Sequence, residues 1–191
     1  MNWFKGIWEW LLPATKDTLT RGRAGLVIAT CLGLTAAVGG LILTWIVSGD
    51  LQGETVVAGA LLIAVLAGLG ALARAGRALL ATWLLVILLT LLTTADVAAY
   101  GVASTASAGF MVPIVLAACG LGLWPGLVIA TFSAAVAWLL AWAENAGWYE
   151  PLLPPDISHL TFDAPALTVL FLLVALIVGL WTRHLGRTGS K

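Results

Sequence analysis

The chain has 191 residues, 61% of them hydrophobic and 9% charged, with a mean hydropathy of +1.06. Soluble chains are about 25% charged and at most about half apolar, so a water-soluble fold is excluded and the apolar excess must face lipid. Nine Lys plus Arg balance nine Asp plus Glu, and at roughly 20 residues per pass the length holds one domain of about six spanning helices.

Residues 1–20 read as a cytoplasmic interfacial helix and linker. Trp3, Phe4, Ile7, Trp8, Leu11 and Leu12 recur at helical spacing, with Asn2, Lys5 and Glu9 between them and Pro13 as terminator. The pattern predicts a short amphipathic helix, lying either on the cytoplasmic membrane surface or against the protein's own cytoplasmic end. It is too short and too rich in Trp for a secretory signal, and it lacks a small-residue cleavage site.

Six apolar runs follow, at 24–47, 55–73, 78–95, 106–122, 125–143 and 165–182. They predict an all-α polytopic membrane fold, a six-transmembrane-helix bundle over 21–187, with an outer loop at 144–164 and a cytoplasmic tail at 188–191. The runs are continuous, not alternating, which excludes a β-barrel. Charge placement tests the division independently. Lys5, Lys16, Arg21 and Arg23 precede the first run, Arg74 and Arg77 separate the second from the third, and Arg183, Arg187 and Lys191 follow the sixth. Asp50, Glu54, Asp96, Glu144, Glu150, Asp156 and Asp163 occupy the other connections, leaving Glu9 and Asp17 on the basic side. Because Lys and Arg collect in cytoplasmic loops, both termini are expected in the cytoplasm, in a bacterial cytoplasmic (inner) membrane.

Lipid offers no hydrophobic drive for helix association, so small residues must let backbones approach. Ala36 with Gly40, Ala64 with Gly68, and Ala130 with Ala134 are candidate contact pairs. Thr30, Thr35, Thr44, Thr82, Thr90, Thr93 and Thr131 can bond a carbonyl one turn back, and Pro113 is expected to kink the fourth span. The hexapeptide at 25–30, GLVIAT, recurs at 126–131, as an internal duplication relating two parallel spans would leave it.

No ionisable residue lies near mid-membrane, which argues against a proton-coupled pump, a charged ion filter or a voltage sensor. His159 and His184 fall on opposite sides of the membrane and cannot share a metal. Cys31 and Cys119 lie inside spans and read as small packing residues. Walker-type, HExxH and GxSxG patterns are missing. No catalytic, cofactor-binding or metal residue is assigned, and the protein is expected not to be an enzyme. The outer loop is the best candidate for a recognition surface, through Trp148, Tyr149, Asp156, His159 and Phe162. An aromatic belt with a lid over the bundle accounts for the same residues. Asp156 and His159, three apart, would share one helical turn and offer a pH or cation response.

Residues 111–155, MVPIVLAACGLGLWPGLVIATFSAAVAWLLAWAENAGWYEPLLPP, precede a last apolar span ending in WTRHLGR. The stretch resembles the membrane-spanning N-terminal sensor region of certain bacterial histidine kinases and diguanylate cyclases. The shared pattern is a Gly-rich turn (Gly120 to Gly126), a span to Ala143, a Glu-x-x-Gly stretch (Glu144 to Gly147) and a Pro-rich loop (Pro151 to Pro155). Arg21, Arg23, Arg74 and Arg77 suit it at the cytoplasmic ends, and the similarity covers about residues 20–187. Such receptors continue into a kinase or cyclase domain, whereas this sequence stops at Lys191, so the resemblance implies a sensory or membrane-anchoring module whose output lies on a partner polypeptide. A structural accessory subunit of a larger membrane complex is one alternative. A small-solute-binding subunit of a transporter is another, since six helices in this length resemble the capture components of energy-coupling-factor importers. The expected partners are the lipid bilayer and other membrane or signalling subunits, with no nucleic acid.

Overall fold

The computed structural model describes residues 18–48, 53–102, 104–148, 150, 152, 167–180 and 182. The interfacial-helix residues Trp3, Phe4, Ile7, Trp8 and Leu11 lie outside them, as do Tyr149, Asp156, His159 and Phe162 of the loop. Every regular element among the described residues is helical. In chain order these are α1 (Thr18–Ser48), α2 (Gly53–Arg74), α3 (Ala78–Tyr100), a 3-10 helix (Thr105–Phe110), α4 (Met111–Gly120), α5 (Leu123–Asn145) and α6 (Leu167–Leu180). Four of them, α1, α2, α3 and α5, are long and apolar enough to cross a membrane. The fourth and sixth predicted runs form shorter apolar helices, Ala106–Gly120 and Leu167–Leu180.

Glycine punctuates the chain where backbone must turn left-handed. Gly76, Gly101 and Gly147 follow α2, α3 and α5 at φ +84°, +88° and +67°, and Gly122 opens α5 at φ +112°. A side chain resists that region. At the end of α2, the Arg77 N–H reaches back to the Leu72 carbonyl at 3.2 Å, and at the end of α5 the Trp148 N–H reaches Ala143 at 3.0 Å. These bonds supply carbonyls that the helix itself leaves open.

The chain divides into two compact units, at Leu85 to Val86 within α3. In the first, α1 and α2 pack as an antiparallel pair. Their close point is Gly59, where an added Cβ would stand 2.7 Å from Ile42 Cδ1. Of the expected small-residue pairs, Ala36 with Gly40 and Ala64 with Gly68 are exposed, and Gly40 and Gly68 have open space beside them. Those two pairs therefore make no close helix contact within the unit, because both lie on outward faces.

The second unit is built around α5. Its buried face carries Gly126, Ala130, Ser133, Ala134, Ala137 and Ala141, while Trp124, Val128, Phe132, Trp138, Leu139 and Trp142 point outward. Small inside and large outside is the inverse of a soluble core and suits helices that must touch backbone to backbone in lipid. A Cβ at Gly126 would lie 2.9 Å from the Ala118 Cα of α4, and one at Gly179 of α6 would lie 3.0 Å from the Leu123 Cα. Farther along, Trp138 Nε1 donates to Thr168 Oγ1 at 3.0 Å, so α6 runs antiparallel to α5. Over the small face Phe110 and Phe171 meet edge to face at 5.7 Å, with Val97, Ile114 and Ala175 around them.

Pro113 is the third residue of α4, within the helical stretch Ala106–Gly120, and the change from 3-10 to α geometry falls two residues before it, at Met111. Thr30, Thr44, Thr82, Thr90 and Thr131 donate to carbonyls three or four residues back at 2.7–2.9 Å. Cys31 is buried and Cys119 exposed, and both are free thiols; the exposure of Cys119 removes it from the packing role expected of it.

The glycine contacts separate tight from slack positions. Gly126→Leu drives a side chain into the Ala118 backbone and is expected to cost about 1–3 kcal/mol, read as a lower unfolding midpoint in detergent. Gly40→Leu, facing open space, is expected to leave that midpoint unchanged.

Candidate functional site

One end of the second unit gathers the polar groups that the spans lack. At the end of α3 the chain turns at Gly101, whose N–H bonds Val97 at 2.8 Å, and then buries Val102. This short non-helical segment must find partners for its backbone groups, since unpaired ones are costly beside hydrocarbon. The partners are side chains of α5, of the 3-10 helix and of the segment itself. The Val102 N–H donates to Glu144 Oε1 at 2.9 Å. The Val102 carbonyl accepts from the Ser107 hydroxyl. Ser104 donates to the Gly101 carbonyl at 2.7 Å and accepts from the Ala106 N–H at 3.3 Å, which caps the 3-10 helix.

Glu144 occupies the last turn of α5, half-buried, and reaches across 42 positions of sequence to residue 102. A backbone N–H to carboxylate bond is charge-assisted and short, and stronger than a neutral pair. Three residues later Gly147 reverses the chain and places Trp148 against Trp142, ring centroids 4.6 Å apart at 70°. The Trp148 ring remains 69% exposed. The Leu152 N–H then donates to the Ala99 carbonyl of α3 at 2.9 Å. The last turn of α5 is thus tied through Glu144 to the turn that follows α3, and Leu152 is tied to α3 itself.

Of the predicted recognition residues, only Trp148 falls among those described, and it stands at this junction. Glu144, Val102, Ser104, Ser107 and Trp142 were not singled out from sequence as members of one site. The available signal was Glu144 itself, the one ionisable side chain in an otherwise apolar Leu123–Asn145 helix. Chemically the arrangement is a clamp: its carboxylate serves as an acceptor for backbone, and its exposed surface offers the Trp148 indole. Among the described residues no group of three or more His, Cys, Asp or Glu is placed to hold a metal.

No family model, no curated protein and no solved structure matches the chain.

Removing the clamp has a graded expectation. Glu144→Ala strands the Val102 N–H and is expected to cost about 1–3 kcal/mol, with faster hydrogen exchange at the Val102 amide. Glu144→Gln keeps a carbonyl acceptor and is expected to lose less and to preserve most of that protection.

Proposed function

We propose that the protein is a non-enzymatic integral membrane module, sensory or anchoring, that acts through a partner protein. The observation carrying this reading is the pair of bonds at the start of the 144–164 stretch, from the Val102 N–H to Glu144 in the last turn of α5 and from the Leu152 N–H to the Ala99 carbonyl of α3. A molecule that draws on the loop pulls on Trp148 and Leu152, and hence on the last turn of α5, on Glu144 and on the turn at Val102. Glu144 to Gly147 is also the stretch that resembles the sensor region of bacterial histidine kinases and diguanylate cyclases. In such receptors signal perception and output are separate functions.

In the same reading the shorter apolar segments 106–122 and 165–182 also cross, giving six spans with both termini in the cytoplasm of a bacterial cell. Aromatic spacing supports membrane-crossing for α5 and α3. Exposed Trp124 and Trp142 sit near opposite ends of α5, 18 positions or roughly 27 Å apart at helical rise, close to the hydrocarbon thickness of about 30 Å. Exposed Trp83 and Tyr100 bracket α3 in the same way. Tryptophan and tyrosine favour the two membrane interfaces.

A second reading, a structural accessory subunit of a larger membrane complex, draws on the outward ridge of Trp124, Phe132, Trp138 and Trp142 on α5. Purification in mild detergent followed by mass spectrometry of the co-purifying chains separates the two. A signalling kinase or cyclase is the expected companion, a stoichiometric set of membrane subunits supports the accessory role, and an ATPase pair replaces both with a transporter. A chain that purifies alone overturns the proposal. A reporter fused after Lys191 is expected to read as cytoplasmic.

A further inference from the structure

At the end of α5 two indoles stand as a corner. Trp142 and Trp148 lie with ring centroids 4.6 Å apart and planes at 70°, and they are 55% and 69% exposed. The chain between them is closed by its own hydrogen bonds. The Ala146 N–H donates to the Trp142 carbonyl at 2.9 Å, the Gly147 N–H to Glu144 at 3.1 Å and the Trp148 N–H to Ala143 at 3.0 Å, around Gly147 at φ +67°. A corner held by its backbone loses little freedom when a ligand enters it. Charge around it has one sign. From Ala78 to Thr182 the sequence carries no Lys or Arg, while exposed carboxylates stand at Asp96, in the last turns of α3, and at Glu150, two residues beyond Trp148. Glu144 is already engaged by the Val102 N–H, so it belongs to the frame and not to the binding surface.

The geometry points to a binding site for a quaternary ammonium group in the Trp142–Trp148 corner. Such a group carries its positive charge under a shell of methyls, and the face of an indole is the side-chain surface that attracts it best. Two indole planes set at a steep angle meet two sides of it at once. A metal ion keeps its water unless several ligands replace it, and among the described residues no group of three or more His, Cys, Asp or Glu is placed to do so. A neutral apolar molecule would meet the same rings but gain nothing from the surrounding negative charge. The preference of Trp for the membrane interface accounts for one exposed indole at a helix end; it does not account for a second one turned against the first by a left-handed glycine. A dissolved choline-type cation and a choline lipid headgroup share this chemistry. As the signal perceived by a sensory module, such a cation rests on the reading proposed above. The binding itself is measured on the chain alone, whereas that reading fails on the partner that co-purifies, so the two failures are distinct.

The full chain in uncharged dodecyl maltoside micelles is titrated with choline and with neohexyl alcohol, the uncharged molecule of the same shape, and binding is followed by saturation transfer from the protein to the methyl protons. Choline is expected to bind and the alcohol not. Trp148→Leu is expected to weaken choline binding about tenfold, on the scale of one lost cation–π contact, and Trp148→Phe to weaken it less. Trp124→Leu, which removes an exposed indole near the other end of α5, is expected to leave it unchanged. Equal binding of the alcohol overturns the proposal, since the corner then reads shape without charge. So does choline binding undiminished in Trp148→Leu. Lipid added to the micelles separates the sources. Displacement of choline by phosphatidylcholine and not by phosphatidylglycerol assigns the corner to a lipid headgroup, and displacement by neither assigns it to a dissolved cation. Equal displacement by both lipids overturns the proposal, because acyl chains then cover the rings.

Discussion

The contact of α5 with its neighbours governs the second unit, and the reason is the solvent. In water a Leu or Phe gains free energy by leaving the surface; in a bilayer the acyl chains already offer it an equivalent environment, so burying it against another helix brings little. What lipid cannot supply is close, dense contact between backbones, where many weak dispersion attractions add up. The fully buried residues of α5, from Gly126 through Ala141, are none larger than Ser, with half-buried Leu127, Ile129, Val136 and Leu140 packed against the same core. That face admits the Ala118 backbone at Gly126, and α6 presents Gly179 to Leu123 in the same manner. The aromatic residues Trp124, Phe132, Trp138 and Trp142 of α5 are displaced to the outside, where they do not weaken the packing.

Close helices have close ends, and the polar clamp follows from that. A turn such as the one that follows α3 exposes backbone donors and acceptors that helices conceal. Each is answered from nearby: the Val102 N–H by Glu144, the Val102 carbonyl by Ser107, the Gly101 carbonyl by Ser104. The Glu144 carboxylate can reach residue 102 because the buried alanines of α5 leave no bulk between its last turn and the core around Val97 and Val102. Packing deep in the unit and hydrogen bonding at its rim are therefore one arrangement. A bulkier residue at Ala141, one turn below Glu144, would disturb both.

Much of the helical layout is legible in the sequence, because apolar runs and the glycines after them report the backbone directly. The six predicted runs each coincide with a helix, and Gly76, Gly101 and Gly147 mark where three of the helices stop. The choice of packing face is a different matter. Small residues four apart occur all along a chain with 21 glycines and many alanines, and spacing alone does not distinguish Ala130 with Ala134, which is buried, from Ala64 with Gly68, which is exposed. The distinguishing information is the size of the residues on the opposite face: on α5 the large ones are segregated, on α2 they are mixed. The partner of Glu144 was hidden for a related reason, since an acceptor for a backbone amide leaves no signature in residue type at position 102. The 3-10 start of the fourth segment was also concealed, because nothing in the residue types of Thr105–Phe110 separates a 3-10 start from an α-helical one.

The two units also differ in what they demand of their surroundings. In the second, α4, α5 and α6 meet through glycine and alanine, and Phe110 with Phe171 fills the remaining space, so lipid is not needed to complete the interior. In the first, the helices touch at Gly59, and the branched side chains of Ile28, Leu66 and Ile63 then line a gap instead of closing it. Such a void in a soluble core forfeits dispersion contacts and costs free energy with its volume. A gap that opens sideways onto a bilayer carries no such cost, because hydrocarbon enters it as readily as it surrounds the helix. Nothing then selects for larger residues at Gly70 or Ala67, and the pair retains a freedom to adjust its separation that the α5 unit, locked at backbone distance, does not have.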